Sequence, residues 1–269
     1  MSARHRILAL AQAECESSLM SQPADPIETA VTFALGAWQE VAPNVFRAVA
    51  EPESVNLGLV VGSERALLVD TGSSPVQGAA VRASIATVTD RPLTAVAVTH
   101  WHYDHAFGLA AFGDLLTIGH ESVRGRLGSV EARAEAARLG VDAADLVAPG
   151  RELAVATAVD LGDRRVEIAH LGEGHTEGDL VVVVPDAGVV FAGDLIESAG
   201  PPSFGDDAVP GSWAATLDGV IGLMTATTVL VPGHGDPVDR EFVFEQRGRI
   251  AARAAEGLQQ DRPSLPLIG

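Results

Sequence analysis

Residues 100–105 read His-Trp-His-Tyr-Asp-His, four strong metal-ligand side chains in six positions. Neutral imidazoles and carboxylates are the donors that divalent cations take from proteins, so the chemistry this run points to is metal binding. His100 and His102 are two apart and face the same side of an extended segment. A turn directly after them brings Asp104 and His105 to a second point nearby, so the spacing suits two adjacent ions. Three more candidate ligands stand in glycine-rich, turn-like settings: His175 in Gly174-His175-Thr176, Asp194 in Gly193-Asp194, and His234 in Pro232-Gly233-His234-Gly235. Five of the eight histidines fall in these motifs.

The segments between the motifs read as strands followed by helices, twice. Val45–Val49, Asn56–Val61 and Ala66–Asp70 are short, apolar, β-branched runs broken by turn residues, the pattern of an antiparallel meander. Ser73-Ser74-Pro75 supplies a cap and a first-turn proline for a helix running to about Val88. Leu93–Thr99 is a nearly continuous apolar strand that delivers His100 at its end. Asp104–Phe112 reads as a short helix, Leu115–Gly119 as a strand, and Glu121–Leu139 as one amphipathic helix stopped by Gly140. Strands follow near Ala154–Asp160, Val166–His170, Leu180–Val184 and Val189–Ala192. A helix Trp213–Met224, a strand Thr228–Val231 and a final helix from about Asp239 to Leu258 complete the pattern.

The run His100–His105, followed in order by His175, Asp194 and His234, resembles the metallo-β-lactamase superfamily of metallohydrolases. Asp70, in Leu67-Leu68-Val69-Asp70-Thr71-Gly72, matches that family's first motif, and the resemblance extends from about Asn56 to Pro237. It implies an α/β fold, the αββα sandwich of two mixed β-sheets flanked by helices, with the ligands at strand ends along one edge. It also implies roles. His100, His102 and His175 look like a three-histidine first metal site, Asp104, His105 and His234 like the second, with Asp194 bridging both. A water or hydroxide shared by the two ions would be the nucleophile, and Asp104 and Asp194 the catalytic carboxylates. Asp70 is expected to orient a ligand histidine or its loop.

Imidazole and carboxylate donors without thiolate suit Zn2+ best, two per chain, and also accept iron, manganese or cobalt. The function expected is hydrolysis of a small-molecule ester, lactone, thioester or cyclic amide. A mononuclear iron sulfur dioxygenase and a weak β-lactamase are the alternatives. True class B β-lactamases typically lack a bridging aspartate, whereas small lactonases and esterases of the superfamily carry one. A glutathione-thioester hydrolase is disfavoured, because 269 − 234 = 35 residues follow the last ligand and its relatives carry a substantial helical region there. Phe204, in the Glu197–Asp207 loop, and Tyr103 are candidate substrate contacts, with the Glu51–Asn56 turn as the opposite wall. Trp101 reads as packing, and Thr99 and Thr176 as hydrogen-bonding neighbours of ligands.

The resemblance implies a small-molecule substrate, and composition speaks against other partners. The formal charge of −18 and the lack of a basic patch oppose contact with nucleic acid or an anionic membrane, and oligomeric state is not readable. One cysteine, Cys15, precludes an intramolecular disulfide. Residues 29–262 are expected to form the catalytic domain, 1–28 an arm and 263–269 a tail. The apolar stretch Ile7–Ala11 is short for a signal peptide, so a cytoplasmic location is expected.

Overall fold

The computed structural model describes residues 31–260, with side chains to 256. The expected arm, the tail and Cys15 lie outside the described residues. Two sheets form the centre. The first contains β1 (Gln39–Ala42), β2 (Val45–Ala50), β3 (Val55–Val61), β4 (Ala66–Val69), β5 (Leu93–Ala97), β6 (Leu116–His120) and β7 (Arg151–Leu153), in that spatial order. The second contains β8 (Ala156–Asp160), β9 (Arg165–His170), β10 (Leu180–Val184), β11 (Val189–Phe191) and β12 (Val229–Val231), in the order β12-β11-β10-β9-β8. Both are mixed: β1 to β4 are antiparallel and β4 to β7 parallel, while β8 to β11 are antiparallel and β12 joins β11 in parallel.

Side chains on a strand alternate between faces, so a strand buried on both sides must be apolar at every position. In β3, Leu57, Leu59 and Val61 turn outward to a layer shared with Val81, Phe107 and Val123, whereas Val60 turns inward. In β10, Leu180, Val182 and Val184 turn inward to meet Val60, Leu67 and Ile118 of the other sheet, and Val181 and Val183 turn outward onto Trp213, Leu217 and Val243. The result is three apolar layers: one between the sheets and one beneath each set of helices. This is the αββα sandwich.

The helices are α1 (Pro75–Ser84), α2 (Tyr103–Ala106), α3 (Ser122–Leu127), α4 (Val130–Leu139), α5 (Pro210–Leu223) and α6 (Arg240–Gln260). Ser74 caps α1 by accepting from the Gln77 amide, with Pro75 in the first turn. Several elements differ from the sequence expectation. The helix expected over Glu121–Leu139 breaks at Gly128-Ser129, because Ser129 caps a new helix by accepting from the Ala132 amide; Gly140, at φ 69°, ends it. Both α1 and α2 end early and continue as 3-10 turns, Ile85–Thr87 and Phe107–Phe112. The short strands β1 and β7 are additions, being polar and three or four residues long.

The fold brings β4, β5, β9, β11 and β12 to end at one edge, where the loops carrying Asp70, His100, His175, Asp194 and His234 converge. Behind them, backbone packs on backbone. The Gly108 amide donates to Gly72 O at 2.9 Å, the Thr71 amide to His105 O at 2.8 Å, and a Cβ on Gly108 would overlap the Thr71 carbonyl. Gly108→Ala is therefore expected to cost about 1–3 kcal/mol through overpacking, read as a lower denaturation midpoint. A midpoint equal to wild type would show that the Thr71 loop is free to move.

Candidate metal centre

Three imidazole nitrogens converge at the first position. His102 Nδ1 lies 3.0 Å from His100 Nε2 and 2.8 Å from His175 Nε2. Asp194 Oδ2 stands 3.4 Å from His175 Nε2 and 4.0 Å from His100 Nε2. At the second position Asp104 Oδ2 is 3.1 Å from His234 Nε2 and 3.6 Å from His105 Nε2. Asp194 reaches here too, Oδ1 lying 3.1 Å from His105 Nε2 and Oδ2 3.5 Å from His234 Nε2. One potential ligand atom from each of His100, His102, His175 and Asp194 lies within 4.8 Å of the others, and the same holds for Asp104, His105 and His234. All seven sequence candidates are thus in one place, with Asp194 between the two groups.

The remaining nitrogen of each ring sets which atom points inward. A neutral imidazole donates from one nitrogen and accepts at the other, so tying the N–H to an acceptor aims the lone pair. His175 Nδ1 meets Ser203 O at 3.2 Å, His234 Nδ1 meets Glu53 O at 2.9 Å, His105 Nδ1 meets Asp70 Oδ2 at 2.9 Å, and His102 Nε2 meets Asp207 Oδ2 at 3.2 Å. Thr99 Oγ1 gives its single proton to Asp70 Oδ2 at 2.9 Å, so it accepts from His100 Nδ1 at 3.1 Å. Each ring, with its outer nitrogen tied, therefore aims its other nitrogen into the cluster, four through Nε2 and His102 through Nδ1. His105 Nε2 and Asp194 Oδ1 are buried without a hydrogen-bond partner, a costly condition that a bound cation relieves. The donor set fits a metal.

Asp70 is the support behind this arrangement. It is 2% exposed, and its carboxylate accepts from the Thr99 amide at 2.7 Å as well as from Thr99 Oγ1 and His105. Its φ of 61° places it in the left-handed region, where a non-glycine residue is uncommon. Gly233 is required for closeness: a Cβ there would overlap Asp194 Oδ1. On the other flank Asp179 accepts from the Thr176 amide and hydroxyl, holding the turn that carries His175.

Charge differs between the two positions. Burial, together with His105, lowers the His100 pKa well below its ordinary value, and burial takes His175 to about 4 against the pull of Asp194. Burial also opposes protonation of His234, but its hydrogen bonds to Asp104 and Asp194 outweigh that and raise it to about 10. Burial likewise acts against His105, and Asp104, Asp194 and Asp70 raise it well above its usual range. The three-histidine position therefore needs no proton removed before it binds a cation, whereas the carboxylate-rich position already attracts positive charge.

A cavity of about 460 Å³ opens onto the cluster. Glu197, Ser203, Gly205 and Asp207 line it from the loop after Asp194, and Glu53 and Tyr103 from the opposite side. Tyr103 sits beneath the Arg138 guanidinium, 4.9 Å from its ring centroid. Phe204, expected to face substrate, instead lays its ring on the fully buried Trp213, with centroids 5.0 Å apart, and is not part of the cavity wall. The buried indole offers that ring more apolar contact than the acidic cleft does. Trp101 packs in the core and donates Nε1–H to Asp207 Oδ2 at 2.7 Å. His120 and His170 stack on each other at 4.4 Å, His120 held by Ser122 and His170 by Asp179 O. Sequence reasoning placed the Glu197–Asp207 loop and the Glu51–Asn56 turn at the cleft but gave Glu53, Glu197 and Asp207 no individual role, and it did not single out Asp179. Only the acidic residues bordering the glycine- and proline-rich loops could have pointed to them.

A family model described as the metallo-beta-lactamase superfamily matches residues 50–234, more than half of the chain. The chain belongs to the metallo-β-lactamase superfamily, and it has the metal-binding fold of that family's hydrolases. It is similar to the metallo-beta-lactamase type 2 of Bacillus cereus, 25% identical over 210 residues covering 77% of this chain and 76% of that protein. It is also similar to the metallo-beta-lactamase type 2 of Bacteroides fragilis, 27% identical over 190 residues, 69% and 70% of the two chains. Among solved structures, a metallo-beta-lactamase from Pontibacter korlensis superposes with a TM-score of 0.67 at 20% identity, covering 82% of this chain and 99% of that one. Among the described residues no helix is long and apolar enough to cross a membrane.

Because Asp70 fixes the tautomer of His105 and, through Thr99, of His100, Asp70→Asn should weaken metal binding by about 10–100-fold while secondary structure is retained. Competition against a chromophoric chelator would measure it, and wild-type affinity in the variant would remove Asp70 from this role.

Proposed function

We propose that the protein is a dinuclear zinc hydrolase that cleaves a small-molecule ester, lactone, thioester or cyclic amide. The observation carrying this reading is the set of five imidazoles, each with its outer nitrogen tied so that the other faces inward, around a carboxylate shared by both groups. His100, His102 and His175 would hold one ion, Asp104, His105 and His234 the other, and Asp194 both. When bound, such ions supply Lewis-acid polarisation of a carbonyl and acidification of water to near neutral pH.

The chain's own residues do the rest. Asp194 reaches both groups, Oδ1 toward His105 and Oδ2 toward His175 and His234, and would hold the two positions at a fixed separation. Asp104, clamped by His234, brings negative charge to the second position only, so the first stays the more electrophilic. The cavity walls hold the substrate over the cluster, and the rigid strand ends beneath it keep the reacting groups aligned. Zinc is favoured by the absence of thiolate and the preponderance of imidazole; iron and manganese accept the same donors. A second reading, weak β-lactam hydrolysis, has the support of the named relatives, against which stands the aspartate at the shared position.

Metal analysis of protein purified without added metal, with a panel of lactones, thioesters and β-lactams, tests the proposal. About two zinc per chain is expected, with turnover abolished by a strong chelator and restored by zinc. One iron per chain with oxygen consumption on a sulfur substrate would replace it with an oxygenase. Asp194→Ala is expected to lose one ion and to reduce kcat/KM by more than the roughly 10–100-fold that loss of an outer partner costs. Full occupancy and an undiminished rate in that variant would refute the shared-ligand role.

A further inference from the structure

His234 has no helix or long strand of its own to hold it. It stands in the loop 232–236, directly after the short strand β12, between Gly233 and Gly235, the latter at a φ of 94°. A backbone with so few side chains to pack takes its course from what its amides and carbonyls meet. Toward the second sheet, the Gly233 amide donates to Gly193 O at 2.8 Å and the Ser198 amide to His234 O at 3.0 Å. Toward the first sheet, the other carbonyls beside His234 converge on one residue.

That residue is Asn56, 4% exposed and second in β3. Its amide donates to Gly233 O at 2.7 Å, and its Nδ2 to Pro232 O at 3.0 Å and Gly235 O at 2.7 Å. The carbonyls of the two residues before the ligand and of the one after it thus all end on Asn56. Both side-chain protons are used, which leaves Oδ1 for Arg47 Nη1 at 3.4 Å. Arg47, on the neighbouring strand β2, also donates to Gly235 O at 3.0 Å and to Asp236 Oδ1 at 2.8 Å. Apart from Asn56, β3 consists of valine, leucine and glycine and is buried throughout. A polar side chain in such a strand is costly unless it is fully paired, and here its partners are the ligand loop and the arginine that clasps that loop.

Resting on the reading of His234 as a ligand of the second ion, we propose that Asn56 is the positioning residue of that half of the site. It carries the geometry of the first sheet onto the loop 232–236 and so sets where the His234 ring lies relative to Asp104 and Asp194. The three-histidine half takes its position elsewhere: His100, His102 and His175 are tied to Thr99, Asp207 and Ser203. Loss of the Asn56 side-chain donors therefore acts on one of the two positions, which a general loss of packing does not.

The test is Asn56→Asp, nearly isosteric, which keeps the backbone bond and replaces the Nδ2 donors by an oxygen facing Pro232 O and Gly235 O. Zinc, and in parallel cobalt, is titrated into the metal-free variant against a chromophoric chelator. The first equivalent is expected to bind as in wild type and the second about 10–100-fold more weakly, the cost of losing a group that orients a ligand, with the visible bands of the second cobalt altered. Val184→Ala, in the buried layer at the end of β10 that meets Val189, is the control: it should lower the denaturation midpoint and leave both equivalents unchanged. Equal weakening of both equivalents in Asn56→Asp, or a second equivalent of wild-type affinity, overturns the proposal. If the wild type takes up fewer than two ions, the dinuclear reading fails, and crystal structures of the metal-free proteins decide the positioning role. The variant should then lose the 3.1 Å contact between His234 Nε2 and Asp104 Oδ2, and its retention overturns the proposal. Should Asn56→Asp not fold, Arg47→Met, which removes the clasp from Gly235 O and Asp236, replaces it in both measurements with a smaller effect in the same direction; a wild-type second equivalent and an unmoved His234 ring there also overturn it.

Discussion

Five inward-facing imidazole nitrogens and two carboxylates make a cluster whose own hydrogen bonds do not satisfy every member. Like-oriented dipoles repel, and a buried acceptor without a donor costs more than an ordinary hydrogen bond contributes. His105 Nε2 and Asp194 Oδ1 show the consequence, buried and unpaired at 3.1 Å. Much of the structure around the site serves to keep these groups from escaping the arrangement. The outer nitrogen of each ring is tied to a carbonyl, a hydroxyl or a carboxylate, so that rotation or tautomer exchange would break a bond already made.

Those ties come from widely separated parts of the chain, which is why a two-sheet architecture suits the task. Asp70 leaves β4 and Thr99 leaves the parallel neighbour β5, so adjacent strand ends place a carboxylate beside a hydroxyl and a ligand histidine. In the second sheet, β11 and β12 run parallel and deliver Asp194 and His234 side by side, with the Gly233 amide donating to Gly193 O at 2.8 Å. The apolar layer between the sheets sets their spacing, and interiors packed like this resist small displacements. Glycine is needed where Gly233 meets Asp194 and where Gly108 meets Thr71, since any Cβ would push the ligand loops apart.

Electrostatics then separates what the two halves of the site can accept. The first group is mostly imidazole, with burial holding His100 and His175 neutral; the second is rich in carboxylate and draws positive charge onto His234 and His105. Outside the ligands the cavity remains acidic, with Glu197 held from behind by Gln246. The chain's negative charge is therefore not only a surface property. Part of it faces the place where a substrate would lie.

The ligands were legible from sequence because each sits in a short motif at the end of an apolar run, and strand period and turn chemistry are local. The same holds for the β2–β4 meander, the cap at Ser74 and the stop at Gly140. By itself the sequence, through the family resemblance its motifs carry, pointed to the αββα class and to the seven residues that converge in the cluster. Tertiary structure alone decided which nitrogen of each histidine faces inward, because that depends on partners as distant in sequence as Glu53 for His234 and Asp207 for His102. It alone turned Phe204 away from the cavity, since a loop residue's direction is set by what it packs on, here Trp213. The loop from Glu197 to Asp207 was expected at the cleft, but only the assembled neighbourhood decided that Glu197 lines its wall and Phe204 does not.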